Sequence, residues 1–316
     1  MNTTLVLILR RIGIAALTLL LVSLVVFTIS SLLPGDAAAE ALGQSATAET
    51  LAALRAQLGL DQPAHVRYVK WLAGLVAGDP GQSFTNDLPV RELVAHRLPK
   101  SLLLAGLTAA VAVPLALTIG ILSAMYRGSP LDRALNVGTL SMVAVPEFLV
   151  ATIAVLIFAV KLRWLPSLTL VPENATLAQL LKVYALPVMT LSFVIVAQMA
   201  RMTRAAIIDQ LNQPYIEMAI LKGVGPARAV MTHALPNAVG PIVNAAALSL
   251  SHLLGGAIIV ETIFNYPGLA SLMVDAVTSR DMPVLQACAM IFCSAYLLMV
   301  LIADVCAILA NPRLRA

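Results

Sequence analysis

Charged residues are scarce in this chain. Lys, Arg, Asp and Glu together make up 11% of its 316 residues, whereas an average soluble domain contains about 25%. Hydrophobic residues make up 60% of the chain, and the mean hydropathy is +0.92. This composition excludes an ordinary soluble globular domain and indicates a protein that lies in a lipid bilayer.

The chain also lacks the residue patterns of several catalytic and metal sites. It contains no Gly-Lys dipeptide, which a phosphate-binding P-loop requires, so we expect that this chain is not an ATPase. Its three cysteines, Cys288, Cys293 and Cys306, lie in or beside the last apolar run without a Cys-x-x-Cys spacing. We predict that they are small core residues that form neither a disulfide nor a metal site. The four histidines are scattered and predict no metal site either.

Six apolar runs are long enough to cross about 30 Å of hydrocarbon at about 1.5 Å per residue. They are Ile12–Leu33, Ser101–Met125, Ala134–Val160, Val183–Ala200, Ala238–Val260 and Val284–Ala303. Only the third run contains a charged residue, Glu147. The sequence therefore predicts an all-α integral membrane protein with six transmembrane helices.

The first run also has features of a secretory signal peptide. Arg10 and Arg11 precede it, and the small residues Ala37-Ala38-Ala39 follow it. Its apolar region of about 22 residues is longer than the 7–15 residues of such signals. We therefore predict an uncleaved first transmembrane helix.

The basic residues predict the orientation of the chain. A cytoplasmic N-terminus collects ten basic residues on the inside: Arg10, Arg11, Arg127, Arg133, Arg201, Arg204, Lys222, Arg228, Arg313 and Arg315. The short outer connections then hold only Lys161, Arg163, Lys182 and Arg280. The positive-inside rule thus predicts that both termini are cytoplasmic. The net charge of +4 reflects this bias, and no aromatic and basic patch indicates nucleic acid.

A polar, basic loop at 204–237 interrupts the apolar pattern. In it, Glu217-Met218-Ala219 is followed after three residues by Gly223, and after nine more by His233-Ala234-Leu235-Pro236. This spacing resembles the EAA loop of binding-protein-dependent ABC importer permeases, written EAA-x3-G-x9-I-x-LP. Met218 and His233 depart from that pattern.

Other segments resemble the dipeptide, oligopeptide and nickel group of these permeases, in which His at position 233 is ordinary. These segments extend from the first helix to the C-terminus. They are Leu33–Asp36, Leu58–Pro63, Tyr68–Leu72, Gly78–Phe84, Glu261–Phe264, Pro267–Leu269, Val274–Ala276, Arg280–Asp281 and Asn311–Arg315.

The resemblance implies a type I ABC importer permease fold and a permease subunit for di- or oligopeptides or a related small solute. It implies a second homologous permease, two P-loop ATPase subunits (or a homodimer) and an extracytoplasmic solute-binding protein, in the inner membrane of a bacterial cell. ATP and Mg are then bound by the ATPase subunits, and this chain holds no cofactor. The resemblance also implies a role in ATPase coupling for Glu217, Ala219 and Gly223.

The residues of the loop predict how it could contact an ATPase. Tyr215–Leu221 and Pro226–His233 are expected to form two short helices, separated at Gly223 and Gly225 because Gly tolerates positive φ and Pro opens a helix. Glu217 could then pair with a basic residue of an ATPase, and Lys222 and Arg228 with acidic ones. The alternative is a polar connector, in which Arg228 serves only orientation.

The end of the loop returns to the membrane at His233, Leu235 and Pro236. A metal-ligand role for His233 would need partners, and none is spaced near it. We therefore expect His233 to cap a helix end through a hydrogen bond.

Glu147 follows Pro146 inside the third apolar run. An acid within a membrane marks a functional site by default. Glu147 could line the pathway, bind a cationic group of the substrate, or satisfy backbone groups freed by Pro146. Pro114, Pro187 and Pro241 also interrupt apolar runs, and the sequence does not separate gating from packing for them.

We expect four regions: an N-terminal transmembrane helix in 1–33, an extracytoplasmic helical loop in 34–100, a permease core with five transmembrane helices in 101–304, and a cytoplasmic tail in 305–316. Within the outer loop, Val66, Val69, Leu72 and Val76 repeat with helical spacing.

Between the fifth and sixth runs, an apolar stripe predicts an outer or re-entrant helix over the mouth of the pathway. Its residues are Leu269, Leu272, Met273, Ala276 and Val277.

Two other functions are open to a chain of this composition. A secondary transporter driven by an ion gradient would show inverted repeats and paired intramembrane charges, which are not evident here. A channel or a non-transporting membrane scaffold would not need an EAA-type loop.

Overall fold

The computed structural model describes residues 3–32, 47–57, 59, 61–170 and 175–310. The predicted similarities at Leu33–Asp36 and Asn311–Arg315 lie outside this range. The helices of the described residues are α1 Thr3–Leu32, α2 Ala48–Gln57, α3 Ala64–Val76, α4 Val90–Met125, α5 Pro130–Ala144, α6 Glu147–Ala154, α7 Leu177–Leu211, α8 Pro214–Leu221, α9 Pro226–Arg228, α10 Leu235–Ile263, α11 Leu269–Thr278 and α12 Met282–Ala310. Two π-helical segments, Val155–Lys161 and Ala229–Ala234, continue α6 and α9.

The described residues of all six apolar runs are helical, apart from Val145 and Pro146. Helices α1, α4, α7 and α12 are each long and apolar enough to cross a membrane. The remaining two runs pass the same test as bent helix pairs, which brings the number of candidate spans in the described residues from four to six.

The third predicted run, Ala134–Val160, is a candidate span that is broken in its middle. Helix α5 and the helix that begins at Glu147 are bent by 99° relative to each other. Val145 is extended, with φ −91° and ψ 124°, because the residue before a proline is driven out of the helical region. Pro146 also lacks the N–H that would continue the helical ladder. In contrast, α7 and α10 continue through Pro187 and Pro241.

The chain forms two compact units. The first contains Met1–Gly13, Leu103–Tyr266 and Leu298–Ala316. In its core, buried side chains of α4, α6, α7 and α10 pack together, among them Leu104, Leu186, Met199 and Val260. At the ends of α1 and α12, Arg11 Nη1 forms an ion pair with Asp304 Oδ2 at 3.0 Å.

The second unit contains Ile14–Leu102 and Pro267–Leu297. Here α3 packs on α1 through aromatic residues: the Phe27 ring lies 5.4 Å from that of Tyr68 and 5.8 Å from that of Trp71. The predicted stripe of α3 is only partly covered, because Val69 is 63% and Val76 is 82% exposed. The structure thus places the aromatic face of α3, and not its valine stripe, on α1.

Helix α11 lies in the apolar core of this second unit. Leu269, Leu272 and Ala276 are buried and pack with Val90 and Cys288, whereas Val277 is exposed. The predicted core role of Cys288 is confirmed, and Cys293 and Cys306 are free and partly buried. Apart from Val277, the predicted stripe forms the packed face of α11.

Candidate functional site

The loop with the EAA-like spacing forms a helical hairpin. Helix α8 has Pro214 in its first turn and ends at Leu221, and α9 begins at Pro226. The two predicted short helices and the break between them are thus present. From Pro226 the chain remains helical through the π segment and into α10.

The spacing between Ala219 and Gly223 has a local physical cause. Gly223 has φ +86°, and its N–H donates to the carbonyl of Ile220 at 2.9 Å. The next N–H, that of Val224, donates to the carbonyl of Ala219 at 3.1 Å. These two bonds form a Schellman motif, which ends a helix at a glycine in the left-handed region. A glycine four residues after Ala219 therefore terminates α8 and turns the chain towards α9.

One face of the hairpin is packed on the helices that carry it. Ile216 and Ala234 have no exposed surface, and Val230 is also buried. They form one apolar cluster with Ile207 of α7 and Ala124 of α4. The hairpin is therefore held against the ends of these helices by apolar packing.

The opposite face of the hairpin is exposed and largely apolar. Leu221 is 75% exposed and Met218 is 55% exposed, and Tyr215 and Met231 are exposed as well. In a connection outside the apolar spans, exposed apolar side chains such as these mark a contact surface. Among the predicted coupling residues, Glu217 and Arg228 lie on the exposed surface and Ala219 is half-buried.

The predicted loop residues Gly225, Leu235 and Pro236 lie where helices begin. Gly225 precedes α9 with φ −68°, which any residue can adopt. Leu235 is half-buried and begins α10, and Pro236 lies in the first turn of that helix.

The prediction that His233 caps a helix end is wrong. His233 lies in the π segment, and the chain stays helical on both sides of it. No helix ends at this position, so there are no terminal backbone groups for its side chain to satisfy. Its own carbonyl accepts a hydrogen bond of 2.8 Å from the Asn237 side chain.

A buried ion pair lies at the base of the hairpin, and the sequence did not predict it. Asp132 is only 3% exposed. Its carboxylate accepts two hydrogen bonds from Arg204 of α7, at 2.8 and 2.9 Å. It also accepts bonds from Ser123 at 2.5 Å and from the N–H of Gly128 at 2.9 Å. Because charge-assisted, two-point pairs are strong, the ends of α4, α5 and α7 are joined at this carboxylate.

A second polar site surrounds Glu147, the first residue of α6. A methyl group added to Gly256 of α10 would lie 2.7 Å from Oε2 and 3.0 Å from Oε1 of Glu147. The carboxylate therefore rests directly on the Gly256 backbone. His252 lies four residues before Gly256 in α10, on the same face of that helix. Neither Gly256 nor His252 was predicted, since no spacing in the sequence connects them to Glu147.

The part of the chain that the structure describes contains no group of three or more His, Cys, Asp or Glu side chains able to hold a metal ion.

Comparisons with known proteins agree with this architecture. The family model of the binding-protein-dependent transport system inner membrane component matches residues 116–316. The model for the N-terminal region of such membrane components matches residues 4–105. The chain belongs to this family of inner membrane components.

Curated relatives match over nearly the whole chain. The chain is 34% identical over 308 residues to a probable peptide ABC transporter permease protein, y4tP, of Sinorhizobium fredii, with 98% of each chain covered. It is 37% identical over 298 residues to the glutathione transport system permease protein GsiC of Salmonella paratyphi A, covering 94% of this chain and 95% of the relative. The protein is therefore the permease subunit of an ABC importer, a non-catalytic, multi-pass component of the inner membrane whose ATPase is a separate subunit.

The fold is also similar to a solved structure. The MetNI methionine ABC transporter in inward-facing conformations aligns with a TM-score of 0.51 and 16% identity, covering 71% of this chain and 95% of the other. The predicted type I permease fold is confirmed by this likeness, which concerns the fold alone.

Proposed function

We propose that this permease imports peptides, forms half of their pathway, and couples to its ATPase through the α8–α9 hairpin. The observation that carries this proposal is the exposed apolar face around Met218 and Leu221, on a hairpin whose other face is buried. The names of the relatives support a peptide or a peptide-like solute such as glutathione as the cargo.

The partners follow from the same proposal. The chain pairs with a second, homologous permease, and two P-loop ATPase subunits bind ATP and Mg. An extracytoplasmic binding protein delivers the cargo. When ATP closes the ATPase dimer, the hairpins of the two permeases are drawn together and the pathway changes from inward-facing to outward-facing.

The residues of the hairpin have separate roles in this proposal. Glu217 and Arg228 are exposed and pair with opposite charges on the ATPase. Ala219 and Gly223 set the end of α8, while His233, Leu235 and Pro236 connect the hairpin to α10. Gly225 supplies a short connection between the two helices.

We assign 1–33 to the first transmembrane helix, 34–100 to the outer loop, 101–304 to the permease core and 305–316 to the cytoplasmic tail. Since α4 begins at Val90, residues 90–100 of the outer loop are part of a helix that continues into the core. The basic residues of the inner connections support a cytoplasmic location for both termini.

Reconstitution tests this function. Proteoliposomes containing both permeases and the ATPase subunits should accumulate a labelled peptide when the binding protein is outside and ATP is inside. Omitting the ATPase subunits should abolish accumulation. Accumulation that persists without ATPase subunits and follows an imposed ion gradient would identify a secondary transporter instead.

A further inference from the structure

A broken span and a bent helix meet at Glu147. The first is bent by 99° at Pro146, and Glu147 begins its second half. The second is α10, which is bent by 41° between Leu253 and Gly255. Helices that break within a membrane protein are characteristic of transport sites, because their ends present polar groups at depth. The Glu147 carboxylate lies at this junction, on Gly256.

Gly256 makes this position possible. A side chain there would overlap both carboxylate oxygens of Glu147, at 2.7 and 3.0 Å. The neighbouring Gly255 differs, since a methyl group added to it would meet no atom within 4 Å. The chain thus has two adjacent glycines of which only one accommodates the acid.

His252, one turn before Gly256 on the same face of α10, carries a second hydrogen-bond acceptor. Its Nδ1 lies 2.8 Å from the carbonyl oxygen of Leu248. Because a carbonyl only accepts, Nδ1 must donate, and in the neutral ring Nε2 is left as an acceptor. The His252 side chain is exposed, and Glu147 is only half-buried.

The Glu147 carboxylate is not part of an ion pair with another described residue. The ion pairs of Arg11 with Asp304 and of Arg204 with Asp132 do not involve it. A carboxylate in an apolar span is costly unless a cation compensates it. An ammonium group carries one positive charge and three donors, which suits a carboxylate and an imidazole nitrogen.

We propose that Glu147 and His252 form a binding site for the ammonium group of the cargo as it passes through the permease. For a peptide, this group is the terminal amine or a lysine side chain. The inference rests on the proposed function in that a peptide is the cargo, but the affinity for an ammonium group can be measured without transport.

Carbodiimide labelling measures the site directly. Dicyclohexylcarbodiimide reacts with carboxyl groups in apolar surroundings, and mass spectrometry of the assembled importer quantifies modification at Glu147. Methylammonium should protect Glu147 severalfold, whereas N-methylacetamide, which has no charge, should not, at an ionic strength held constant with sodium chloride. The proposal would be overturned if Glu147 were labelled equally in methylammonium and in N-methylacetamide, or if Glu147 were not labelled at all.

The two glycines supply a matched pair of variants. Gly256→Ala should abolish protection because the methyl group displaces the carboxylate, and Gly255→Ala should retain it. Protection that is equal in both variants would contradict the geometry. His252→Gln keeps an acceptor and should retain part of the protection. A His252→Leu variant that binds methylammonium as well as the wild type would remove His252 from the site.

Transport separates this inference from the proposed function. Glu147→Gln should lower uptake of trialanine about tenfold, which corresponds to about 1.4 kcal/mol, while ATPase activity stimulated by the loaded binding protein is retained. A parallel fall of both activities would indicate a structural role for Glu147 and overturn the proposal. If methylammonium protects Glu147 but the wild-type importer takes up no trialanine, the ammonium site stands and peptide import fails.

Discussion

Arg204 of α7 binds Asp132 of α5 through two parallel hydrogen bonds, Nε to Oδ1 at 2.8 Å and Nη2 to Oδ2 at 2.9 Å. The pair lies about two helical turns before α7 ends at Leu211. The α7–α8 turn is tied to the same base by Arg127, whose Nη1 donates to the Asn212 side chain at 3.2 Å. The hairpin that we assign to ATPase coupling is thus joined, through α7, to the first half of the span that breaks at Pro146.

Removing Arg204 should destabilise the protein strongly. Arg204→Ala leaves the Asp132 carboxylate buried without its counter-charge, which costs about 3–5 kcal/mol. The midpoint of thermal unfolding in detergent should therefore fall. Arg201→Ala is the control, because Arg201 lies three residues earlier on the same helix and is exposed. Similar midpoints for the two variants would show that the pair contributes little.

Gly223 and Gly225 should differ in their tolerance of alanine. Neither position has an atom within 4 Å of an added methyl group, so the difference is purely one of backbone conformation. Alanine at Gly223 must adopt φ +86°, at a cost of about 1–2 kcal/mol. We expect ATP-driven uptake to decrease in Gly223→Ala and to be unchanged in Gly225→Ala. An equal decrease in both would mean that the Schellman motif is not what coupling requires.

The hairpin could be predicted from the sequence because its signals are local. Pro214, Gly223 and Pro226 mark the ends of its helices within a few residues. The Asp132–Arg204 pair could not be predicted, since its partners are 72 residues apart and each one alone resembles an ordinary inner-loop charge. The positions of Gly256 and His252 relative to Glu147 could not be predicted for the same reason, because they are distant from Glu147 in the sequence.

The prolines within the apolar runs have different effects on their helices. The span breaks at Pro146, while α7 and α10 continue through Pro187 and Pro241. The chemistry of the proline ring is the same in each case. A proline within an apolar run therefore does not reveal from the sequence alone whether the span breaks there.

A pair of glycines in α4 should respond in opposite ways. A methyl group added to Gly120 would lie 2.7 Å from the Ala200 carbonyl oxygen and 2.7 Å from Thr203 Cβ. A methyl group added to Gly106 would have no atom within 4 Å. Gly120→Ala should therefore lower stability by about 1–3 kcal/mol. Gly106→Ala should raise it by up to about 1 kcal/mol through helix propensity. Thermal unfolding of both variants checks this, and tolerance of Gly120→Ala would refute close packing of α4 on α7.

Asp281 should hold the outer loop in place. It is buried, and its carboxylate accepts hydrogen bonds from the Ser83 hydroxyl and, at 3.2 Å, from the Phe84 N–H. Asp281→Ala leaves these donors unpaired, at about 1–3 kcal/mol each. Protease cleavage near Phe84 should become faster than in the control Asp275→Ala, whose exposed carboxylate lies on α11. Cleavage at the same rate in both would contradict this role.

Reporter fusions test the proposed orientation. Fusions after Gly128 and Gly225 should report the cytoplasm, and a fusion near Gln82 should report the outside. This pattern follows from the basic residues of the inner connections. A cytoplasmic signal at Gln82 would show that the first span is inverted or misassigned.

Photo-cross-linking from the hairpin tests the central claim most directly. Benzoylphenylalanine is placed at the exposed position Met218 in the assembled importer, and at Trp164, which is also exposed but belongs to a proposed outer connection. We predict that the Met218 position cross-links to the ATPase subunit, with a yield that changes when ATP is added, and that the Trp164 position does not. An ATPase that cross-links to Trp164 and never to Met218 would contradict the assignment of the hairpin as the coupling element.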